Sequence, residues 1–219
     1  QTEALIAAHF SDGKLDNIMV DLEKKLNISS DLGSEVLNHF GINNKKDEKE
    51  SISRSPILLG NISKQVSKII KNSNIAPFKG NDLTVEAVWN FISNKLDDFS
   101  GKKIAIIGAG NIGFKLALKF VESGANVEIH RRNYSIGQQL VTTINSIKPA
   151  NTLARANYAS TPLQAAIFSD ILIGCTPGVP VITWEMIQSM KNTGIVIDAG
   201  KGTVYPEAMT QSIQNQIEI

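Results

Sequence analysis

The apolar positions of this chain follow two different patterns, and the change lies near residue 100. Beyond it, short runs rich in isoleucine and valine alternate with stretches whose apolar residues recur at helical spacing. The predicted strands are Ile104–Ile107, Asn126–Ile129, Leu153–Tyr158, Asp170–Gly174 and Gly194–Asp198, with a last one beginning at Ile217. The predicted helices are Ile112–Ser123, Ile136–Ile147, Leu163–Phe168, Trp184–Lys191 and Pro206–Gln214. This alternation predicts an α/β fold with a doubly wound parallel sheet covered by helices on both faces.

The first hundred residues are patterned mainly as helices. From Gln1 to about Phe40 apolar residues recur at helical spacing, as at Ile18, Leu22 and Leu26. The pattern then predicts a solvated charge run, a short strand, a helix, a Pro/Gly loop and a further helix, at Asn43–Ser51, Ile57–Leu59, Ile62–Ile70, Pro77–Gly80 and Thr84–Leu96 respectively. We therefore predict a smaller, mainly helical α/β domain over residues 1–98, serving substrate binding or interaction, and a larger domain over residues 99–219.

Composition and charge narrow the function. The 219 residues are 42% hydrophobic and 20% charged, which is typical of a globular protein. With 22 basic and 21 acidic side chains we expect no nucleic-acid partner, since phosphates require a concentrated basic surface. No apolar run approaches the roughly 18 residues that span a bilayer, so we expect no membrane partner. One cysteine, Cys175, and three scattered histidines argue against a disulfide or a metal site and favour a reducing, cytoplasmic setting.

A glycine-rich turn carries the strongest signal. An uninterrupted apolar strand, Lys103–Ile107, leads into Gly108-Ala109-Gly110-Asn111-Ile112-Gly113, and a helical pattern and a second strand follow. In this order a G-x-G-x-x-G motif predicts a dinucleotide-binding Rossmann βαβ unit. Gly108 would allow the tight exit from the strand, Gly110 the approach of the pyrophosphate, and Gly113 the packing of the helix on the sheet. The helix N-terminus would offer its backbone N–H groups to the phosphates.

The end of the second strand distinguishes the cofactor. Enzymes that bind NAD carry an acidic residue there for the ribose 2′-hydroxyl. Here Glu128 lies too early, inside the strand, and the strand ends on His130, Arg131 and Arg132. A guanidinium binds a 2′-phosphate through paired hydrogen bonds and can stack on the adenine, so we predict NADP rather than NAD.

Two later loops are expected at the same edge of the sheet, where ligands of doubly wound folds bind. They are Cys175–Gly178 and Ala199–Thr203, and both consist largely of small residues that let a planar ligand approach the backbone. We assign to the cofactor site Cys175, Thr176, Pro177 and Gly200, with Thr176 at the ribose or nicotinamide. Cys175 is interpreted as a packing residue rather than a nucleophile, and Lys201 is either a carboxylate-binding or catalytic cation or an ordinary surface lysine.

Three segments of the second half together resemble one family. They are the glycine-rich turn, Ile129–Arg132 and Asp170–Pro177. These segments resemble the shikimate dehydrogenase-like group of the two-domain amino-acid-dehydrogenase-like enzymes, over roughly residues 100–210. Arg131 stands in the arginine place of that family's Asn-Arg-Thr NADP signature, and Cys175 in the alanine place of its Ala-Thr-Pro loop. The resemblance implies an NADP-binding Rossmann dehydrogenase.

The first half resembles that family less closely. Ser53–Pro56 is similar to its Ser-x-Ser-Pro motif, whose hydroxyls bind the substrate carboxylate. Ala76–Lys79 resembles the segment that carries its catalytic lysine, and Gly80–Asp82 the loop of its catalytic aspartate. In the family those two motifs lie far apart, so at most one of them corresponds. The helix before the first strand of the dinucleotide domain is equally similar to methylene-tetrahydrofolate and methylene-tetrahydromethanopterin dehydrogenases. The resemblance therefore favours the superfamily and not shikimate as the substrate.

The resulting hypothesis is an NADP(H)-dependent oxidoreductase that transfers hydride between nicotinamide and a small hydroxy acid, oxo acid or imine in an interdomain cleft. Lys79 and Asp82 are the candidate acid–base pair, because they lie in a Pro/Gly loop before the helix that leads into the dinucleotide domain. The alternatives are a non-catalytic NADP(H)-sensing module and a methylene-tetrahydrofolate or methanopterin dehydrogenase-like enzyme. A hydrolase of the adenosylhomocysteinase type would use NAD, which the arginines disfavour. A homodimer is compatible with the sequence.

Overall fold

The chain forms two compact units, Gln1–Gly80 and Asn81–Ile219, in a computed structural model that describes residues 2–23, 25–28, 57–215 and 217. The sequence interpretation placed the boundary at residue 98, after the helix that precedes the glycine-rich domain. In the structure most of that helix belongs to the second unit. The predicted charge run at residues 43–51 and the Ser53–Pro56 motif lie outside the described residues. Within the described ranges no helix is both long and apolar enough to cross a bilayer.

The first unit combines helices with two small sheets. The elements within its described residues are α1 (Thr2–Ser11), β1 (Asn17–Asp21), β2 (Lys25–Ile28), β3 (Ile57–Asn61), α2 (Ile62–Ile69) and β4 (Asn74–Phe78). Strand β1 pairs with β4 in parallel, and β2 pairs with β3 antiparallel. Among the described residues of this unit the helices supply most of the buried apolar cluster, which includes Leu5, Ala8, Val20, Val66, Ile69 and Ile70.

Part of the prediction for this unit is confirmed and part is wrong. The strand at residues 57–59 and the helix at 62–70 are present as β3 and α2. The helical interpretation around Ile18 is wrong, because residues 17–21 form β1, and the predicted loop at Pro77 is wrong, because Pro77 lies within β4. A contact distant in sequence lies just before the paired strand β4: the Asp12 carboxylate accepts hydrogen bonds from the backbone N–H groups of residues 71, 72 and 73.

The second unit is built on a five-stranded parallel sheet. Its elements are α3 (Gly80–Ser93), β5 (Lys103–Ile107), α4 (Asn111–Glu122), β6 (Asn126–His130), α5 (Tyr134–Ile147), β7 (Ala156–Tyr158), α6 (Pro162–Ala166), β8 (Ile171–Gly174), α7 (Trp184–Ser189), β9 (Ile195–Asp198) and α8 (Pro206–Gln214). The strand order is β7-β6-β5-β8-β9, so the order reverses beside β5. A ligand crevice is expected at that switch point, beyond the carboxyl ends of β5 and β8.

Helices cover both faces of this sheet. Along β5 the side chains alternate, with Ile104 and Ile106 in one apolar cluster and Ala105 and Ile107 in the other. Helices α3, α4 and α5 contribute to the first cluster, and α6, α7 and α8 contribute to the second. The predicted doubly wound α/β fold is confirmed. All five predicted strands are present, although β7 begins at Ala156 rather than at residue 153. The last predicted strand, beginning at Ile217, continues into residues 218 and 219, which lie outside the described residues.

Candidate functional site: a dinucleotide cradle at the carboxyl edge of the parallel sheet

The glycine-rich turn leaves β5 through Gly108. Its φ is +92°, a left-handed conformation that favours glycine, and its N–H donates to the His130 carbonyl oxygen at 3.0 Å. A Cβ on Gly108 would lie 2.8 Å from the Thr176 Cγ2 atom, so the turn also packs tightly against the loop after β8. A side chain at residue 108 would therefore disturb both the turn and its contact with that loop.

The other two glycines of the motif stand in opposite surroundings. A Cβ on Gly113 would lie only 2.8 Å from the Gly108 carbonyl oxygen. The absence of a side chain at residue 113 therefore lets α4 pack close to the end of β5. A Cβ on Gly110 would meet no atom within 4 Å. Gly110 is the N-cap residue of α4, a 12-residue helix, and makes no side-chain capping bond. These residues fit the pyrophosphate of a dinucleotide, which needs close backbone approach and a helix N-terminus.

The end of β6 places basic groups beside this turn. The Arg131 guanidinium donates from Nη1 to the carbonyl oxygen of Ala109, in the middle of the glycine-rich turn. His130 lies 3.0 Å from the Ala159 carbonyl oxygen through Nδ1, which must carry the hydrogen because a carbonyl can only accept. Arg132 is exposed. Glu128 accepts a hydrogen bond from the Asn157 amide at 3.1 Å within the sheet, so its carboxylate does not take the ribose-binding place.

Two tyrosines that the sequence analysis did not single out lie at the same corner. The Tyr158 hydroxyl, at the end of β7, donates to the carbonyl oxygen of Arg131 at 2.9 Å. The ring of Tyr134, at the start of α5, meets the Tyr158 ring edge-on with centroids 5.2 Å apart. The aromatic residues belong to separate strand and helix segments, and the hydrogen bond depends on the β6–β7 pairing, which no local pattern reveals.

The loops after β8 and β9 meet each other at the same edge. The Cys175 N–H donates to the Ile107 carbonyl oxygen at 2.7 Å, and the Gly178 N–H donates to the Gly200 carbonyl oxygen at 3.0 Å. The Thr176 hydroxyl, which the sequence assigned to the cofactor, donates within its own loop to the Val179 carbonyl oxygen at 2.6 Å. The structure thus brings together the predicted segments around Gly108, Thr176 and Gly200.

Asp198 organises the second of these loops, and the sequence analysis missed this role. One carboxylate oxygen accepts from the N–H groups of Gly202 at 2.7 Å and Thr203 at 3.1 Å, and the other accepts from the Thr203 hydroxyl at 2.7 Å. Lys201, at the exposed tip, has a φ of +62°. An aspartate followed by glycine and threonine four and five residues later is the sequence signal that could have revealed this turn.

Cys175 is a packing residue by its environment. Its Cβ lies 3.5 Å from the position of a Cβ on Gly113, between the β8 loop and α4. Burial, with a smaller contribution from the charge of Asp198, raises the pKa of the thiol from 9.0 to about 12. Since the thiolate is the nucleophilic form, the structure gives no support to covalent catalysis by Cys175.

The two candidate acid–base residues, Lys79 and Asp82, belong to different units of the chain. Lys79 is exposed and follows β4, at the end of the first unit. Asp82 lies in the first turn of α3 and forms an ion pair with Lys115 of α4. A second pair joins Glu86 to Lys119 at 2.7 Å, so α3 and α4 run in the same direction. Asp82 consequently lies beside the second turn of α4, the helix that follows the glycine-rich turn.

The described residues contain no cluster of three or more histidine, cysteine, aspartate or glutamate side chains suited to a metal ion. The polar groups at the carboxyl edge include backbone N–H groups, guanidinium groups and a lysine, whereas the Asp198 carboxylate accepts hydrogen bonds from its own loop. The N–H, guanidinium and lysine groups bind anions and planar ligands rather than cations.

Comparison with known proteins gives a fold and a class of domain. Residues 103–202, less than half of the chain, match a family model described as NADP oxidoreductase, coenzyme F420-dependent. Dipicolinate synthase from Bacillus subtilis is 17% identical with a TM-score of 0.50, and the match covers 71% of this chain and 50% of that one. A dipicolinate synthase subunit from Bacillus halodurans is 16% identical with a TM-score of 0.50, and the match covers 94% of this chain and 71% of that one.

The present chain therefore spans half the length of the Bacillus subtilis protein. No curated protein matches the sequence. None of these matches names a shikimate dehydrogenase, so that part of the resemblance is not supported. At such identities a structural likeness shows the fold alone, and the second unit has the Rossmann-like fold of NAD(P)-binding oxidoreductases.

Proposed function

We propose that this protein is an NADP(H)-dependent oxidoreductase that transfers hydride between the nicotinamide and a small hydroxy acid, oxo acid or imine. The observation that carries the proposal is the reach of Arg131 from the end of β6 to the Ala109 carbonyl in the glycine-rich turn. In a Rossmann fold the adenosine ribose lies between these two segments. A guanidinium at that place suits a 2′-phosphate, and residues 130–135 contain no carboxylate that would repel it.

The family description supports the same cofactor, because it names NADP for the family whose model matches residues 103–202. The phosphates are proposed to bind to the backbone at Gly108, Ala109 and Gly110 and to the first N–H groups of α4, at Asn111, Ile112 and Gly113. His130 and Arg132 are proposed to flank the adenosine end beside Arg131. Together these groups account for a dinucleotide with an additional phosphate.

The loops after β8 and β9 are proposed to hold the nicotinamide end. Cys175, Thr176 and Pro177 stand across the switch point from the glycine-rich turn, and Gly200 supports them through its hydrogen bond with Gly178. The bound cofactor supplies the hydride chemistry. The chain supplies a rigid cradle, since Asp198 and Thr176 tie their loops internally at 2.7 Å and 2.6 Å.

Lys79 and Asp82 are proposed as the acid–base residues for a carbonyl or imine substrate. Asp82 lies in the first turn of α3 and forms an ion pair with Lys115, near the start of α4. Lys79 precedes Asp82 by three positions in the sequence. A lysine and a carboxylate are side chains of the kind that donate and accept protons in catalysis.

A titration tests the cofactor proposal. NADPH and NADH are titrated against the protein and against Arg131→Gln, with the exposed Arg132→Gln as the matched control. We expect NADPH to bind more tightly, and Arg131→Gln to weaken NADPH by about 10- to 100-fold while leaving NADH nearly unchanged, as for loss of a hydrogen bond between charged groups. Arg132→Gln should have a smaller effect. Equal affinities in the unsubstituted protein would refute the NADP assignment.

A second experiment tests catalysis. Absorbance of the reduced nicotinamide is followed with a panel of oxo acids, cyclic imines and methylene-tetrahydropterins. Turnover with an oxo acid or imine supports the proposal, and turnover with a methylene-tetrahydropterin supports the alternative enzyme class. Tight NADPH binding without turnover on any substrate favours a sensing module. With a substrate in hand, undiminished turnover in Lys79→Met or Asp82→Asn would remove that residue from the mechanism.

A further inference from the structure

Tyr158 links three segments of the adenosine corner. It is the last residue of β7 and pairs with Ile129 of β6, one residue before His130 and two before Arg131. Its hydroxyl donates to the Arg131 carbonyl oxygen at 2.9 Å. The chain leaves the β6 strand after His130, so this hydroxyl gives the Arg131 carbonyl a partner just beyond the sheet.

The Tyr158 ring also supports the start of α5. A Cβ on Gly137 would lie 2.4 Å from the Tyr158 Cε2 atom, so the first turn of α5 rests directly on the ring. On the same side, the Tyr134 ring stands perpendicular to it, at an interplanar angle of 89°. The peptide segment from residue 131 to residue 137 is therefore held against one aromatic side chain at both ends.

Arg131 is thus fixed on two sides. Its carbonyl accepts from Tyr158, and its guanidinium donates to the Ala109 carbonyl. A fixed peptide plane limits the directions in which the side chain can extend, which leaves the guanidinium aimed at the glycine-rich turn. Four of the five guanidinium N–H groups are not needed for the Ala109 bond and can serve a ligand.

We infer that Tyr158 is a positioning residue for recognition of the 2′-phosphate: its hydroxyl orients Arg131, and the preference for NADP over NAD depends on that hydroxyl. The inference rests on the proposed NADP specificity and adds the residue that sets it. Tyr158 does not touch the phosphate and acts through Arg131. Preorganisation of this kind lowers the entropy lost when an arginine binds its ligand.

The test is Tyr158→Phe, which removes the hydroxyl and keeps the ring that packs on Gly137. We expect the dissociation constant for NADPH to rise about 3- to 10-fold, the range for loss of one neutral hydrogen bond, and that for NADH to change less than about 2-fold. Tyr134→Phe, which removes the hydroxyl of the neighbouring exposed ring, is the matched control and should leave the NADPH/NADH ratio unchanged. A thermal melt of each variant checks that the domain remains folded.

Adenosine 2′,5′-bisphosphate and 5′-AMP provide a second pair of probes that isolates the adenosine corner from the nicotinamide end. Tyr158→Phe should weaken the bisphosphate by the same factor as NADPH and leave 5′-AMP unchanged. In an Arg131→Gln background the Tyr158→Phe substitution should not weaken the binding of the bisphosphate further, because Tyr158 acts only through Arg131.

Two outcomes overturn the inference by itself. One is an unchanged NADPH/NADH ratio in Tyr158→Phe, and the other is an equal loss for both nucleotides, which would show a structural role only. If the unsubstituted protein binds NADPH and NADH equally, the proposed function fails as well. The wild-type titration therefore separates the two failures.

Discussion

The carbonyl oxygen of Thr176 lies against Gly200 so closely that a Cβ at residue 200 would stand only 1.9 Å from it. The loops after β8 and β9 therefore touch through their backbones at the edge of the sheet. This contact fixes the distance between the two loops that are proposed to hold the nicotinamide, and it depends on the absence of a side chain at one position.

Gly200→Ala should destabilise the second unit. Because the atom in the way is backbone rather than the end of a flexible side chain, one loop must move, and we expect a loss of about 2 kcal/mol or more in the free energy of unfolding. For a chain of this size that corresponds to a melting temperature lower by roughly 4–8 °C. Calorimetry or a thermal melt measures it, and an unchanged melting temperature would contradict the close contact.

Gly110→Ala should change stability little but weaken the binding of NADPH. A Cβ there meets open space, so we expect a stability loss below about 1 kcal/mol, as for a changed N-cap residue. The methyl group would occupy the space proposed for the pyrophosphate, and we expect NADPH to bind at least about tenfold more weakly, or 1.4 kcal/mol. Titration and melting of Gly110→Ala and Gly200→Ala side by side test both statements. Retained NADPH affinity in Gly110→Ala would place the pyrophosphate elsewhere.

Cys175 should be slow to react with iodoacetamide in the folded protein. Its pKa is raised to about 12 by burial and by Asp198, so at pH 8 almost no thiolate is present. We expect alkylation to become fast only when denaturant unfolds the chain, as followed by mass spectrometry. Cys175→Ala keeps the backbone of the β8 loop and its hydrogen bond to Ile107, so it should retain cofactor binding and any turnover. Loss of turnover in this variant without loss of cofactor binding would show that Cys175 has a catalytic role.

Asp170 should make the stability of the second unit depend on pH in the acidic range. Burial opposes its ionisation, but hydrogen bonds from the Lys103 N–H at 2.9 Å and from Lys191 Nζ at 2.8 Å, with the charge of Lys102, lower the pKa of the carboxyl below its ordinary value of 3.8. A lowered folded-state pKa contributes stability above 3.8 that is lost as the pH falls through the folded value. The free energy of unfolding should therefore decline below about pH 4.

Asp170→Asn is the matched variant for that measurement. It should lower stability at pH 7 by about 1–3 kcal/mol, the range for hydrogen bonds to a charged group, and should flatten the acidic decline. Denaturant unfolding at a series of pH values measures both effects. A decline of equal steepness in Asp170→Asn would assign the pH dependence to other carboxylates.

The sequence predicted the second unit far better than the first, and the residues show why. Strands such as β5 are buried on both faces, so a run like Ile104–Ile107 can be recognised without knowing its neighbours. Strand β1 is different, because Val20 is its one buried residue and its neighbours Ile18 and Leu22 also suit a helix. The β1–β4 pairing and the Asp12 contacts join residues about sixty positions apart, and no local pattern contains them.

The same distinction applies to the candidate site. The glycines and arginines could be assigned from the sequence because their roles depend on their order along one βαβ unit. The role of Tyr158 depends on a hydrogen bond to one backbone atom and arises only through the pairing of β6 with β7, whereas the Asp198 turn is local and had a signal in the sequence. The internal hydrogen bond of the Thr176 hydroxyl was likewise visible only in the folded chain.

The strand order of the parallel sheet also has a consequence for how the protein folds. Ile104 of β5 pairs with Val127, 23 positions later, and with Ile171, 67 positions later. Closing the longer loop costs about 1 kcal/mol more in chain entropy, so we expect β5 and β6 to associate before β8 joins them. We expect the glycine turn, which lies between these two strands, to form early. We expect the loops with Thr176 and Gly200 to take their places only after β8 has joined the sheet.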